Sequence, residues 1–597
     1  MRQWRWPVVL LCALGLVFTA CAAKKTSETS AAPAPATDDD DDGSPPPLEP
    51  WNQTYPRPIV TIASPQSGAF IDGPAVTIQG SVSGATVAEV TINDQTVPVN
   101  DGAFEADESL PAGQTVVPFY ITAVSTGAAA EPVGAAEVVV FQGTSQPPAQ
   151  TVTDAVGFAL GNDALTVVND LLDHALTDLN LLPLFDKLNP IVNVAGVKVE
   201  VIASSIGAAT GAAAFGADGL GIQGALADVK LGLKITIGAG QPISMLTTIG
   251  SFNFQGVTDL TVADGKATAT VSNFALSQSD ISFSGPLSDI IGAALVGLLL
   301  DGIEDVVKLA VDDLAPPLLE KILEAVNLNT KLGGWDLQLA LTDLEIVTGA
   351  LAADFELNAY VVAPDPTLPW PQGSLSLAGA GPDMANYRPA AAQNFAFGAA
   401  LSENLLNRIL FSAANAKLFN LSIDSLTAGT VSLLFPSLAT VDPSTPVSLV
   451  FSPMTPPVAL AAADGSLTVN FPDWRLDVYL NPPGVAPWRA MELTFAIVFG
   501  VEGQAQDGKL ALSFPTASLA FHYIDNPLND DASLVSFLAQ WLPGILQGVL
   551  NVVFDELHIG LPTIDGVTID TLWWGVAGPD LDYWTSYFDM TYTPPAR

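Results

Sequence analysis

The chain is poor in the residues that carry out covalent and metal chemistry. It has 2 cysteines and 3 histidines in 597 residues. Cys12 and Cys21 both lie near the amino terminus, so the body has no disulfide framework and no cysteine metal site. His174, His522 and His558 stand far apart in sequence, none paired with another at helical or strand spacing, which excludes the usual ligand and general-base patterns and leaves structural roles. No Gly-x-Ser-x-Gly elbow occurs, which argues against a hydrolase of that class. Gly219, Gly221 and Gly224 match Gly-x-Gly-x-x-Gly, but alternating strand follows instead of a helix, so dinucleotide binding is excluded by context. Positive charge is also scarce: 20 Lys and Arg stand against 62 Asp and Glu, a net charge of −42. Nucleic acid and anionic lipid surfaces are therefore repelled at long range, and the acidity reads as a solubility device for a chain that is 49% apolar. Beyond the amino terminus no apolar run approaches the roughly 20 residues of a membrane span; Leu295–Leu300 is brief and ends at Asp301.

What is present begins with an address. A short basic stretch, Met1–Trp6, precedes the apolar run Val8–Phe18 and then Thr19-Ala20-Cys21. This resembles a bacterial lipoprotein signal, with Phe18 where leucine is usual, and implies that Cys21 becomes the lipid-bearing first residue, residues 1–20 being removed. Residues 21–57, with the run Asp38–Asp42, have no apolar period and read as a self-repelling acidic tether. Residues 58–145 alternate in short strands between turns, as expected for an all-β sandwich. The wording Ser-Pro-Gln-Ser-Gly, Val-Thr-Ile-Gln-Gly-Ser-Val and Val-Thr-Ile-Asn-Asp-Gln-Thr-Val-Pro-Val resembles bacterial immunoglobulin-like domains, which implies a spacer or adhesive module. Residues 146–150 read as a linker.

Two halves of about 200 residues then follow one order of elements. The first, 154–365, opens with apolar spacing for a helix over 162–179, including Leu171 and Leu172. Strands follow at 197–201, 230–237 and 252–262, and Asp264-Gly265 turns the last into 267–276. A long apolar helix is expected over 286–314, with Leu295, Leu298, Leu299 and Ile303 on it, before strands at 335–346 and 355–362. The Ala-rich stretch 207–217 fits no pattern. After a Pro- and Gly-rich linker, placed at 366–393, the second half, 394–597, repeats the plan. It has a helix at 401–413 carrying Leu405 and Ile409, strands at 466–471, 475–480, 491–501 and 510–521 with Asp507-Gly508 marking a hairpin, and a closing helix from Asp530 or Asp531. In that helix Phe537, Leu538, Trp541, Leu542, Ile545 and Leu546 recur at three- and four-residue steps, with Pro543-Gly544 in its middle. An apolar arc this wide needs sheathing by sheet, helix or an apolar ligand. Asp525, Asn526, Asn529, Asp530 and Asp531 read as a polar loop and helix cap, with calcium ligation as the alternative. The aromatic tail Trp573, Trp574, Tyr583, Trp584, Tyr587 and Phe588 reads as packing on its own sheet, with a membrane interface as the alternative.

Phe397–Phe411, and Leu542–Ile569 with its Ile-Gly-Leu-Pro-Thr-Ile, resemble the TULIP lipid-binding proteins, in particular the bactericidal/permeability-increasing and lipopolysaccharide-binding branch. In the first half Ile-Ser-Phe-Ser-Gly followed by the 286–314 helix fills the equivalent place. The resemblance implies an α+β fold of two elongated TULIP barrels, each a curved antiparallel sheet wrapping a long helix, behind the all-β immunoglobulin-like sandwich. It implies no enzyme and no cofactor, but a phospholipid or other acyl lipid held in apolar slots between helix and sheet. The expected lining is Leu171, Leu172, Leu295, Leu298, Leu299, Ile303, Leu405, Ile409, Phe537, Leu538, Trp541, Leu542, Ile545 and Leu546. The expected setting is the envelope of a Gram-negative bacterium, in the outer membrane, anchored through Cys21, with no nucleic-acid partner and with lipid transfer as a further possibility. The family's basic tip and its disulfide are absent, so lipopolysaccharide neutralisation is not expected. The alternative is a surface adhesion or scaffold lipoprotein without a lipid ligand.

Overall fold

In the computed structural model, the described residues are 58–125, 133–285, 296, 301–309, 330–359, 367–377, 395–525, 531–555, 566–577 and 582–593, with short breaks inside them. Cys21, the tether, Leu295, Leu298, Leu299, His558 and the loop 526–530 lie outside them. The fold is mostly β and includes a curved half-barrel sheet.

Residues 59–142 form two sheets, one of four strands and one of five. Their alternating sequence does this: in Ala75–Ser83 every second residue is buried, and Val116–Ser125 does the same. Ile78, Val90, Ile92, Phe119, Ile121 and Val140 meet between the sheets.

A seven-stranded sheet ties the two halves of the remaining chain together. Its middle pair is Val152–Gly161 and Phe397–Ser402, antiparallel, with Val156 opposite Leu401. On one side lies the hairpin Trp335–Val347 and Ala350–Ala359; on the other, Val567–Ala577 and Tyr583–Tyr592. Each half thus gives this sheet its first strand and its last hairpin, so the repeated order of elements closes on itself at one shared sheet. Tyr583, Trp584, Tyr587 and Phe588 are buried here, so this part of the aromatic tail packs on its own sheet.

Between its first strand and last hairpin each half builds a six-stranded sheet of its own. In the first half the long strands are Gly219–Ile237, Ile243–Ala263 and Lys266–Ser284, the last two paired down to Ala263 opposite Lys266. The Ala-rich stretch is a strand, Ala208–Gly216, paired along its length with Gly219–Ala227. In the second half, the expected strands at 466–471 and 475–480 are one strand, Leu467–Leu480, with an irregularity between Phe471 and Trp474. The expected strand at 510–521 is two, Lys509–Ser513 and Thr516–Asp525, because Phe514-Pro515 breaks the ladder. Among the described residues no helix is long and apolar enough to cross a membrane.

The segments read as linkers carry structure. Thr144–Gln146 pairs with Ser374–Ser376. Arg408, fully buried on the helix Glu403–Asn415, donates to Ser374 Oγ at 3.0 Å and to the carbonyls of Pro148 and Gln146. Burial draws this guanidinium down to about 10. The sandwich also rests on the second half through Val139, Phe141, Leu375 and Val458, and Gln66 Nε2 donates to Pro369 O.

Candidate functional site: an apolar recess beneath a helix

The first-half sheet buries one face. Val199, Leu231, Leu233, Ile235, Met245, Ile249, Phe252 and Phe254 form it, met by Ile303, Val306 and Val307 of the helical segment 301–309. Ile237, placed on that face by its spacing, is instead exposed at the strand end. Register sets Leu231 opposite Thr247, Thr247 opposite Phe283 and Ile249 opposite Ile281, so these side chains share one patch.

Helix and patch nearly fill the space between them. Leu231, Leu233, Thr247, Ile249, Ile281, Phe283, Val296 and Ile303 line a recess of only about 10 Å³, barely the room of one water molecule. Thr247 is its single polar side chain; it is 1% exposed, and its hydroxyl has no partner among the described residues. A buried hydroxyl without a hydrogen bond costs about 1–3 kcal/mol. The recess is therefore an apolar seam with one polar atom, Thr247 Oγ1, and it takes an apolar chain only when helix and sheet part.

The opening helix of this half, Asn162–Thr177, lies against Ala208–Gly216. Asn169 Oδ1 accepts from Ala213 N at 2.6 Å, and Asp173 Oδ1 accepts from Gly211 N. A Cβ on Gly211 would sit 2.8 Å from Leu176 Cδ1 and 3.1 Å from Leu172 Cβ, so only glycine admits the helix this closely. Leu172 is spent on this contact, and Leu171 beside it is half-buried.

In the second half Ser402 Oγ caps the helix Glu403–Asn415 by accepting from Leu405 N at 3.1 Å. Leu405 and Ile409 are each 2% exposed in a packed core, and Asn407 Oδ1 accepts from Ala459 N at 2.7 Å. Glu403, beside them, accepts from Ala461 N. Burial pushes its carboxyl up to about 7, the Ala461 amide opposing and the Asp582 charge adding to the shift. The closing helix, Asp531–Asp555, buries Leu538, Leu542, Leu546, Leu550 and Val553, and Phe554 meets Phe514 with ring centroids 5.0 Å apart. Ile545 and Val549 are half-buried and Val552 exposed, so the covered arc is narrower than the composition suggests.

Among the described residues of the expected lining, only Ile303 borders the recess; Leu172, the pair Leu405 and Ile409, and the trio Leu538, Leu542 and Leu546 occupy separate packed places. Phe537 and Trp541 lie on the closing helix, their side chains outside the described set. The strand residues of the recess were legible only as an alternating face; nothing in sequence distinguishes Thr247 from an outward threonine. Among the described residues no group of three or more carboxylate, histidine or cysteine side chains is arranged to hold a metal.

No family model and no curated protein matches the chain. Solved structures similar to it include lipopolysaccharide binding protein, at 14% identity and TM-score 0.40, over 74% of this chain and 100% of that one. P47 of Clostridium botulinum E1 matches at 9% identity and TM-score 0.22, over 74% and 100%. Latherin matches at 14% identity and TM-score 0.17, over 25% and 79%. At such identities and scores none assigns a role to a residue of this chain.

Proposed function

We propose that this chain is a lipid-binding protein of a bacterial cell envelope that holds an acyl chain between helix and sheet. In this reading each half closes into a TULIP barrel, the residue 59–142 sandwich is immunoglobulin-like, and a lipid on Cys21 tethers the body to the membrane. Transfer of lipid between surfaces follows as an extension of holding it. The observation that supports the reading is the recess of Leu231, Leu233, Ile249, Ile281, Phe283, Val296 and Ile303 with one unpartnered hydroxyl, Thr247. Sheathing about a dozen methylenes between helix and sheet once they part is worth on the order of 10 kcal/mol before losses, among them the cost of parting them.

The volume sets a condition. At about 10 Å³ the recess is far below the roughly 300 Å³ at which ligand sites begin, so an acyl chain enters only if the helical segment carrying Ile303 moves off the sheet. The same tightness, with a sandwich docked onto the second half through Val139 and Phe141, favours the second reading, a surface scaffold lipoprotein filled by its own side chains. Mass spectrometry of solvent extracts from the chain purified without detergent separates the two. Stoichiometric acyl lipid is expected; a folded, lipid-free chain that also fails to take up added fatty acid would rule for the scaffold.

A further inference from the structure

A second cleft lies where the sandwich meets the second-half sheet, lined by Pro58–Val60, Gly134–Glu137, Met454, Asp473, Arg475, Arg489, Glu492 and Thr494, with a volume of about 330 Å³. Its charges do not cancel. Arg475 Nε lies 3.0 Å from Asp477 Oδ2, and Arg489 Nη1 pairs with Glu492 and stands 3.7 Å from Asp477 Oδ1, so two guanidiniums are matched by two carboxylates. Glu137, on the sandwich strand Val133–Gln142, and Asp473, on Leu467–Leu480, remain. The Glu137 side chain is 3% exposed and Asp473 is 4% exposed. Glu137 Oε1 is held by His522 Nδ1 at 2.9 Å, with the Tyr120 ring edge-on to that imidazole at 4.9 Å. Asp473 Oδ2 accepts from Ser67 Oγ at 3.2 Å. The second oxygen of each, Glu137 Oε2 and Asp473 Oδ1, is buried and has no partner among the described residues.

We propose that this cleft binds a primary ammonium group, which donates N–H to Glu137 Oε2 and Asp473 Oδ1. Two buried carboxylates on the wall of one cleft, close enough for the Glu137 charge to act on Asp473 and with one imidazole bonded to Glu137, lack positive charge, and an ammonium supplies both the charge and the missing hydrogen bonds. A hard divalent cation would want six to eight oxygens, more than two carboxylates and the Ser67 hydroxyl offer. A quaternary ammonium has no N–H to give. Burial, and then the Glu137 charge, hold the Asp473 carboxyl well above the usual carboxylate range, with Ser67 and Arg475 opposing. The pair therefore reaches its full negative charge later in a rising pH titration than two ordinary carboxylates would. The groups facing the pair are Tyr120, Arg475, Asp477, Arg489, Glu492 and His522, so affinity should climb with pH as Asp473 ionises more readily.

The same chemistry is offered by a free amine and by an ethanolamine lipid headgroup. Titration calorimetry of the full chain with 1,4-diaminobutane, against tetramethylammonium at matched ionic strength, tests the site. Flotation with vesicles containing phosphatidylethanolamine, against vesicles of phosphatidylcholine alone, separates the sources. Saturable amine binding that tightens as pH rises, and weakens about tenfold or more in Asp473→Asn and in Glu137→Gln, is the expected result. Binding by vesicles as well assigns the headgroup; binding by amine alone assigns a free ligand. Equal binding of tetramethylammonium, or unchanged amine binding in the two folded variants, would overturn the proposal. Should either variant fail to fold, affinity in the intact chain independent of pH would do the same. The amine carries no acyl chain, so its failure leaves the recess reading untouched, and an empty recess leaves this one.

Discussion

At the scale of single residues, the buried acids give the sharpest consequences. Glu403 is 4% exposed and its carboxyl is pushed up to about 7 from 4.5. Between those pH values the folded chain binds the proton and the unfolded chain does not. Stability from this group is thus greatest below about 4.5, falls as pH rises, and levels off above about 7, a loss on the order of 3 kcal/mol. Glu403→Gln keeps an acceptor for Ala461 N and removes the charge. Its melting temperature should exceed that of the unmodified chain at pH 8 and converge with it in acid; an equal or lower value at pH 8 would refute the assignment. Little at this scale was legible in the sequence. His522 read as a satisfied structural histidine, which its bond to Glu137 agrees with, but its partner lies 385 residues away. Thr247 and Asp473 look like any strand residue until the sheets are assembled around them.

At the scale of elements the sequence speaks more plainly, because period and turn chemistry are local. Both Asp-Gly pairs sit between strands that pair directly, and the closing helix begins at Asp531 as its spacing suggested. The strand Ala208–Gly216 was illegible for a physical reason: the helix Asn162–Thr177 presses so close at Gly211 that small residues replace the usual alternation of large and polar ones. The closing helix supplies a paired test. Leu546 is fully buried, so Leu546→Ala should cost about 2–5 kcal/mol in denaturant unfolding. At Gly544, beside the core stripe, a Cβ would meet no atom within 4 Å, so Gly544→Ala should stabilise by up to about 1 kcal/mol. Equal effects at the two positions would mean that the helix is not seated on the face described.

At the scale of the whole molecule, the repeated plan was readable as an order of elements, but its closure was not. That the first strand of each half lies beside the other in one seven-stranded sheet depends on contacts across more than two hundred residues. The docking of the sandwich is illegible for the same reason, since Gly, Pro and Ala around 146–150 and 367–377 have linker composition whether or not they are packed. Arg408 holds that junction through Ser374, Pro148 and Gln146. Arg408→Met should leave those acceptors buried without a donor, at about 1–3 kcal/mol, and speed amide exchange over 144–150 selectively. Uniform exchange change across the chain would contradict a local clamp.

The central claim is that an acyl chain lies between the first-half sheet and its helix. A photoactivatable fatty acid, bound to the detergent-free chain, irradiated and mapped by peptide mass spectrometry, tests this directly. Label is expected on peptides containing Leu231–Ile249 and Ile281–Ile303, and it should fall about tenfold in Ile281→Trp, whose indole takes the place an entering chain would need without adding charge. Label confined to the sandwich, or unchanged by Ile281→Trp in a folded chain, would contradict it.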